Sequence, residues 1–294
     1  MNAEYISAIG RCLVFHGIID SMSELTTQNF KSKITAFQLQ HGGLLADGDP
    51  GGLTLWALQE PMLKNAANLK SISVKTDKAP GSGGFLKMSL REDAAAAFEK
   101  LAADVRAAGA IVTSAGGFRP LEVVANAHQS ARSMHYPGLA FDLATDKGSG
   151  GFAPDTDAYV LEWLGGAARR WTVWARATQG QSMTINATFH KWAPNNAVTV
   201  HSKIVSGDFI NLTEIAGSHG FKPIGARSGY MQPTDKQYMS AEWWHFQYER
   251  ALVRDFSLLG IEMLKIAGFT PNAIQTKNPA LWDERRAIFG DKWV

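Results

Sequence analysis

Helical spacing recurs early in the chain: Ile34, Phe37 and Gln38 in one run, then the largely apolar Leu53, Leu55, Trp56 and Leu58 in another. Between the two runs lies Gly-Asp-Pro-Gly-Gly at 48–52, which is turn chemistry, and the short apolar segment Ile6 to Phe15 precedes both. Residues 1–62 are therefore predicted to form a small helical module. Residues 63–84 end in Lys-Ala-Pro-Gly-Ser-Gly-Gly and are predicted to be a linker.

Beyond the linker the periods mix. Ser89 with Glu92 three positions later has the form of a capping box, and Phe98, Leu101 and Val105 continue a helix that Gly109 should close. The β-branched, Gly-terminated run Ala110 to Phe118 predicts a strand delivering Arg119 at its end. Alternation then dominates in Trp171 to Ala177, Ser182 to Phe189 and Val198 to Val205, which predicts three strands, and it returns in Trp244 to Tyr248 before helical segments lead to the C-terminus. Helices and strands mix without a regular strand-helix repeat, so the predicted class is α+β.

Composition narrows the function classes. Hydrophobic residues make up 45% and charged residues 19% of the 294, a packed globular profile with room for one medium and one small domain. Lys and Arg exceed Asp and Glu by 29 − 27 = 2, with no basic run interleaved with aromatics, so a nucleic-acid partner is not expected. The mild basic excess suits an anionic polymer such as cell wall. Cys12 is the only cysteine, which rules out an intrachain disulfide and leaves histidines and carboxylates to build any metal site. No apolar stretch approaches the roughly 20 residues of a membrane span. The N-terminal segment lacks a signal-peptide pattern, so the expectation is a protein made in the cytoplasm that needs help to reach any substrate outside the membrane.

One constellation carries chemistry. His135 and Asp142 stand seven residues apart in Ser-Met-His-Tyr-Pro-Gly-Leu-Ala-Phe-Asp, where Pro137-Gly138 predicts a turn and Leu139 to Ala144 a strand folded back beneath the histidine. His245 opens the alternating run at 244–248 and follows Glu242 by three. Two histidines and one carboxylate leave a coordination position for water, the open arrangement of a catalytic zinc, and Glu242 is placed to act as general base. Arg119 is a candidate clamp for a substrate carboxylate or a developing oxyanion. Ser133 is a candidate hydrogen-bond partner of the substrate or of the ligands.

These residues carry a resemblance. Ser-x-His-x-x-Gly-x-Ala-x-Asp at 133–142, the segment at 114–120 ending in Arg-Pro, and Glu-Trp-Trp-His at 242–245 are together similar to the D-Ala-D-Ala peptidase branch of the LAS metallopeptidases. The resemblance covers roughly residues 85–265. It implies a small antiparallel sheet flanked by helices, zinc on His135, Asp142 and His245, Glu242 as base and Arg119 as a substrate or transition-state contact. The 100 residues between Asp142 and Glu242 imply an insertion, around 146–205, in a peptidase domain of 85–294. Phe37 to Leu58 in turn resembles the second half of a peptidoglycan-binding module. The expected function is therefore zinc-dependent hydrolysis of a peptide bond in the peptidoglycan stem or cross-link, as in a phage endolysin or virion component that lyses the cell wall. The alternatives are a D-Ala-D-Ala carboxypeptidase and a non-catalytic wall-binding or structural virion protein.

Other features have plainer readings. His16, His41, His190, His201 and His219 are expected to be ordinary core or surface residues, with His128 a weak alternative ligand. Trp243 and Trp244 are expected to pack rather than line a groove. Asp47 and Asp49 lack calcium-loop spacing and mark a turn. The Gly-rich 146–154 lacks the ending of a phosphate loop and is expected to border the site. Asn186 and Asn211 begin N-x-Thr triplets that carry no meaning without secretion.

Overall fold

The computed structural model describes residues 2–63, 67–75, 85–124, 130–145, 152–192, 198–230 and 238–293. In chain order its elements are α1 (Ala3–Phe15), α2 (Phe30–His41), α3 (Gly52–Gln59), β1 (Leu69–Lys75), β2 (Phe85–Arg91), α4 (Glu92–Ala107) and β3 (Ala140–Asp142). There follow β4 (Tyr159–Gly165), β5 (Arg170–Trp192), β6 (Val198–Asn211), α5 (Leu212–Ser218), β7 (Phe221–Pro223) and β8 (His245–Tyr248). Four short helices finish the chain: α6 (Leu259–Leu264), α7 (Pro271–Lys277), α8 (Pro279–Asp283) and α9 (Arg285–Gly290). The class is α+β, as the mixed periodicity predicts.

The chain divides into two compact units. The first comprises 1–68, 119–137 and 250–294 and is helical. Its core joins Ile9 and Leu13 of α1, Ile34 and Phe37 of α2, and Leu55 and Leu58 of α3 with Leu258 and Ile261 from the chain's other end. The expected module of 1–62 thus shares its apolar faces with C-terminal residues instead of closing a core alone. The predicted turn at 48–52 is held by the buried Gln38, whose amide donates to Asp47, to the Asp49 carbonyl and to Thr54 at 3.0–3.2 Å while its oxygen accepts from Gly48. The aspartates serve that turn, as expected.

The second unit comprises 69–118 and 138–249 and holds three antiparallel sheets, β1-β2, β3-β8-β7 and β4-β5-β6. Several sequence expectations are corrected here. Residues 69–75 lie within the predicted linker but form β1, paired with β2 from Leu69↔Arg91 onward. Ser89 sits in β2 and caps nothing, because α4 begins at Glu92 behind Arg91. The helix still buries Phe98, Leu101 and Val105. The predicted strand at 110–118 is reduced to bridges: Ala115 N–H donates to the Asp142 carbonyl and Asp142 N–H to the Gly116 carbonyl, while Gly116 N–H turns back to Ser114 Oγ. The runs at 171–177 and 182–189 belong to a single strand, β5, whose pairing with β6 shifts between Arg176 and Gln181. The third strand of that sheet is β4.

Alternation in the β3-β8-β7 sheet sorts its side chains. Phe141 of β3 stacks on Phe246 of β8 at 5.5 Å and meets Phe98 of α4 at 4.8 Å and Phe221 of β7 at 5.1 Å. Successive residues of a strand point to opposite faces, so the neighbours of these two phenylalanines are turned away from the aromatic layer. Those neighbours are Asp142 and His245.

Candidate metal centre

Register brings the first pair together. Asp142 of β3 lies directly opposite His245 of β8, and Asp142 Oδ1 and His245 Nδ1 are 3.0 Å apart. The Asp142 backbone is held on its other side as well, donating to the Gly116 carbonyl at 2.9 Å and accepting from Ala115 N–H at 2.8 Å. His135 reaches the pair through a short stretch of chain. Gly138, in the predicted turn, has φ +68°, and its carbonyl accepts from Arg91 N–H at 2.9 Å. A Cβ there would stand 2.8 Å from Arg91 N, so glycine meets both the conformation and the space.

The ligating atoms of His135, Asp142 and His245 all lie within 4.8 Å of one another. Both histidines are buried, at 4% and 8% exposure. Tetrahedral zinc with bonds near 2.0–2.2 Å places neighbouring donors about 3.3 Å apart, and the Asp142–His245 pair at 3.0 Å is close to that spacing. Two imidazoles and one carboxylate suit zinc and related divalent ions and leave a position for an exchangeable ligand. The donor set fits a divalent metal ion.

Glu242, the candidate base, occupies a strained position. Its φ is +53°, a conformation that costs a non-glycine residue roughly 1–3 kcal/mol and persists only where the surroundings impose it. Those surroundings are firm: Trp243 and Trp244 are buried, which bears out packing as their role, and the Trp171 indole donates to the Ala241 carbonyl at 2.7 Å. Glu242 Oε1 accepts from Arg227 Nε at 2.8 Å, and Arg227 N–H is itself fixed on the Ser240 carbonyl. Arg227 carries no sequence signal, because its partner is fifteen residues away with no periodic pattern between them.

Ser133 and Arg119 act on His135 through the chain. Ser133 is buried, and its Oγ accepts from the His135 N–H at 3.3 Å. Arg119 N–H donates to the His135 carbonyl at 3.0 Å, while its guanidinium lies 5.3 Å from the centre of the Tyr136 ring and reaches the Ser130 carbonyl. Neither belongs to the three-residue metal group. A residue that sequence reasoning missed anchors the same loop: the buried Asn278 donates to the Val123 carbonyl at 3.0 Å and to Tyr136 Oη at 3.3 Å. With Asn278 and Tyr136 separated by 142 positions, no local pattern could announce the contact.

His128 and residues 146–151 of the Gly-rich segment lie outside the described residues. The other histidines have ordinary partners, among them the Leu58 carbonyl for His16 and Asp104 for His219. Comparisons with protein-family models, with curated proteins and with solved structures found no match to this chain.

Proposed function

We propose that the chain is a zinc-dependent peptidase that hydrolyses a peptide bond in the stem or cross-link of peptidoglycan. The observation that carries the reading is the convergence of His135, Asp142 and His245 within 4.8 Å, with the strained Glu242 three residues before His245. His135, Asp142 and His245 would hold the ion. When bound, zinc supplies acidification of water and polarisation of a carbonyl. Glu242 takes the proton of the attacking water and returns it to the leaving amine, a role usually contributing about 100- to 10,000-fold. Arg227 orients the Glu242 carboxylate. Arg119, whose guanidinium lies over the Tyr136 ring, supplies a guanidinium for a substrate carboxylate, and Ser133 keeps the His135 loop in place.

The engagement of Glu242 by Arg227 also favours a second reading, a wall-binding protein that keeps the metal without turnover. One experiment separates the two. Purified peptidoglycan is incubated with zinc-loaded wild type and with Glu242→Ala, and new amine ends are counted by mass spectrometry. The peptidase produces them with wild type and loses at least about 100-fold of that rate in the variant. Zinc-loaded wild type that releases no new amine ends would leave the binding protein.

A further inference from the structure

Within the helical unit a cleft of about 710 Å³ opens among α3, α8 and α9, inside the range of about 300–1,000 Å³ usual for small-molecule sites. Its walls are set by close packing: a Cβ on Gly52 would stand 2.0 Å from the Gly290 carbonyl oxygen, and one on Gly260 1.8 Å from the Phe289 ring. Trp56 meets Phe289 at 4.8 Å, and Phe289 meets Trp282 at 6.1 Å. All three rings stay partly exposed.

The cleft also carries charge. The Arg285 guanidinium lies 5.3 Å from the centre of the Trp282 ring and gives one N–H to the Trp282 carbonyl. Arg286 has no ion-pair or hydrogen-bond partner among the described residues. Of the acidic residues on the lining, Asp291 is already paired with Arg132 at 2.9 Å, which leaves Glu60 against two guanidinium groups.

We propose that this cleft binds an acidic saccharide. Indole and phenyl faces offer flat apolar surfaces to the C–H faces of a pyranose while its hydroxyls stay wet, and a guanidinium fork takes a carboxylate through two parallel N–H donors. A wholly apolar ligand would leave both arginines unused. A nucleic acid would ask for a basic surface that a net charge of +2 does not provide. That the saccharide is the muramic-acid strand of peptidoglycan rests on the function proposed above; the cleft's chemistry does not.

The test is calorimetric titration of the full-length Glu242→Ala protein, with a chelator present, so that neither metal nor turnover contributes. The probes are the N-acetylglucosamine–N-acetylmuramic acid disaccharide, the neutral N-acetylglucosamine disaccharide and an acetylated apolar dipeptide with a free carboxylate. The acidic disaccharide should saturate the protein and bind at least about tenfold more tightly than either other probe. In the exposed double variant Arg285→Gln/Arg286→Gln the two disaccharides should become equal, and Trp56→Ala should weaken both. Equal binding of the two disaccharides by the parent protein, preference for the dipeptide, or discrimination that survives the double arginine substitution would each overturn the proposal. Saccharide binding together with an inert zinc-loaded wild type would sink the peptidase alone, and wall cleavage without saccharide binding would sink the cleft alone.

Discussion

At the scale of single residues, Glu242 separates stability from chemistry. Its positive φ suits glycine better than any side chain, so Glu242→Gly should be more stable than Glu242→Ala by about 1 kcal/mol, while both lose wall cleavage. Denaturant unfolding of the two variants checks the order, and a more stable alanine variant would contradict it. His190 gives a pH dependence. It is buried, with Nε2 bonded to Tyr230 Oη at 2.7 Å, Tyr238 against the ring at 4.8 Å, Phe152 at 6.5 Å and His201 nearby. Burial first, and His201 second, hold its pKa down at about 4 against an ordinary 6.5. Between those values the unfolded chain binds the proton and the folded chain does not, so stability rises with pH, is complete above about 6.5, and falls by on the order of 3 kcal/mol toward pH 4. His190→Gln should lose that part of the slope in unfolding measured at pH 4.5 and 7.5, and identical slopes would contradict the assignment.

At the scale of elements, the centre depends on a three-residue strand whose register is fixed from both sides. Gly138→Ala forces a Cβ toward Arg91 N in a left-handed conformation, so it should cost more than about 1 kcal/mol and weaken metal affinity together with stability. Unfolding and zinc titration of the same variant check the pairing; full zinc affinity in a destabilised variant would show that the turn does not aim His135. His135 and Asp142 could be paired from the sequence because only a turn and a short strand separate them, whereas His245, 103 residues beyond Asp142, was found from its own alternating strand behind Glu242. α2 and α3 were legible from the helical spacing of 34–38 and 53–58, while α1 showed in the sequence only as the short apolar segment Ile6 to Phe15. β1 was not, because Ile72 and Val74 alternate inside a polar, Gly-ended stretch that composition marks as linker. β5 was read as two strands because the shift between Arg176 and Gln181 interrupts its alternation without ending it. Arg227 and Asn278 stayed hidden because their partners are chosen by tertiary packing, which leaves no period behind.

At the scale of the whole molecule, the α+β chain has no helix long and apolar enough to cross a membrane among the described residues, and His135, Asp142 and His245 form a group that could hold a metal ion. An ion that binds only the folded state stabilises it by mass action, so free zinc at a hundred times its dissociation constant should add about 2.7 kcal/mol, lost again on chelation. The most direct measurement is the zinc content of purified protein, wild type beside His135→Ala, Asp142→Ala and His245→Ala, with circular dichroism confirming that each is folded. One equivalent of zinc is expected in wild type, with most of it lost in each folded variant. Wild type without zinc after reconstitution, or a full equivalent retained when any one of the three is replaced, would contradict that expectation.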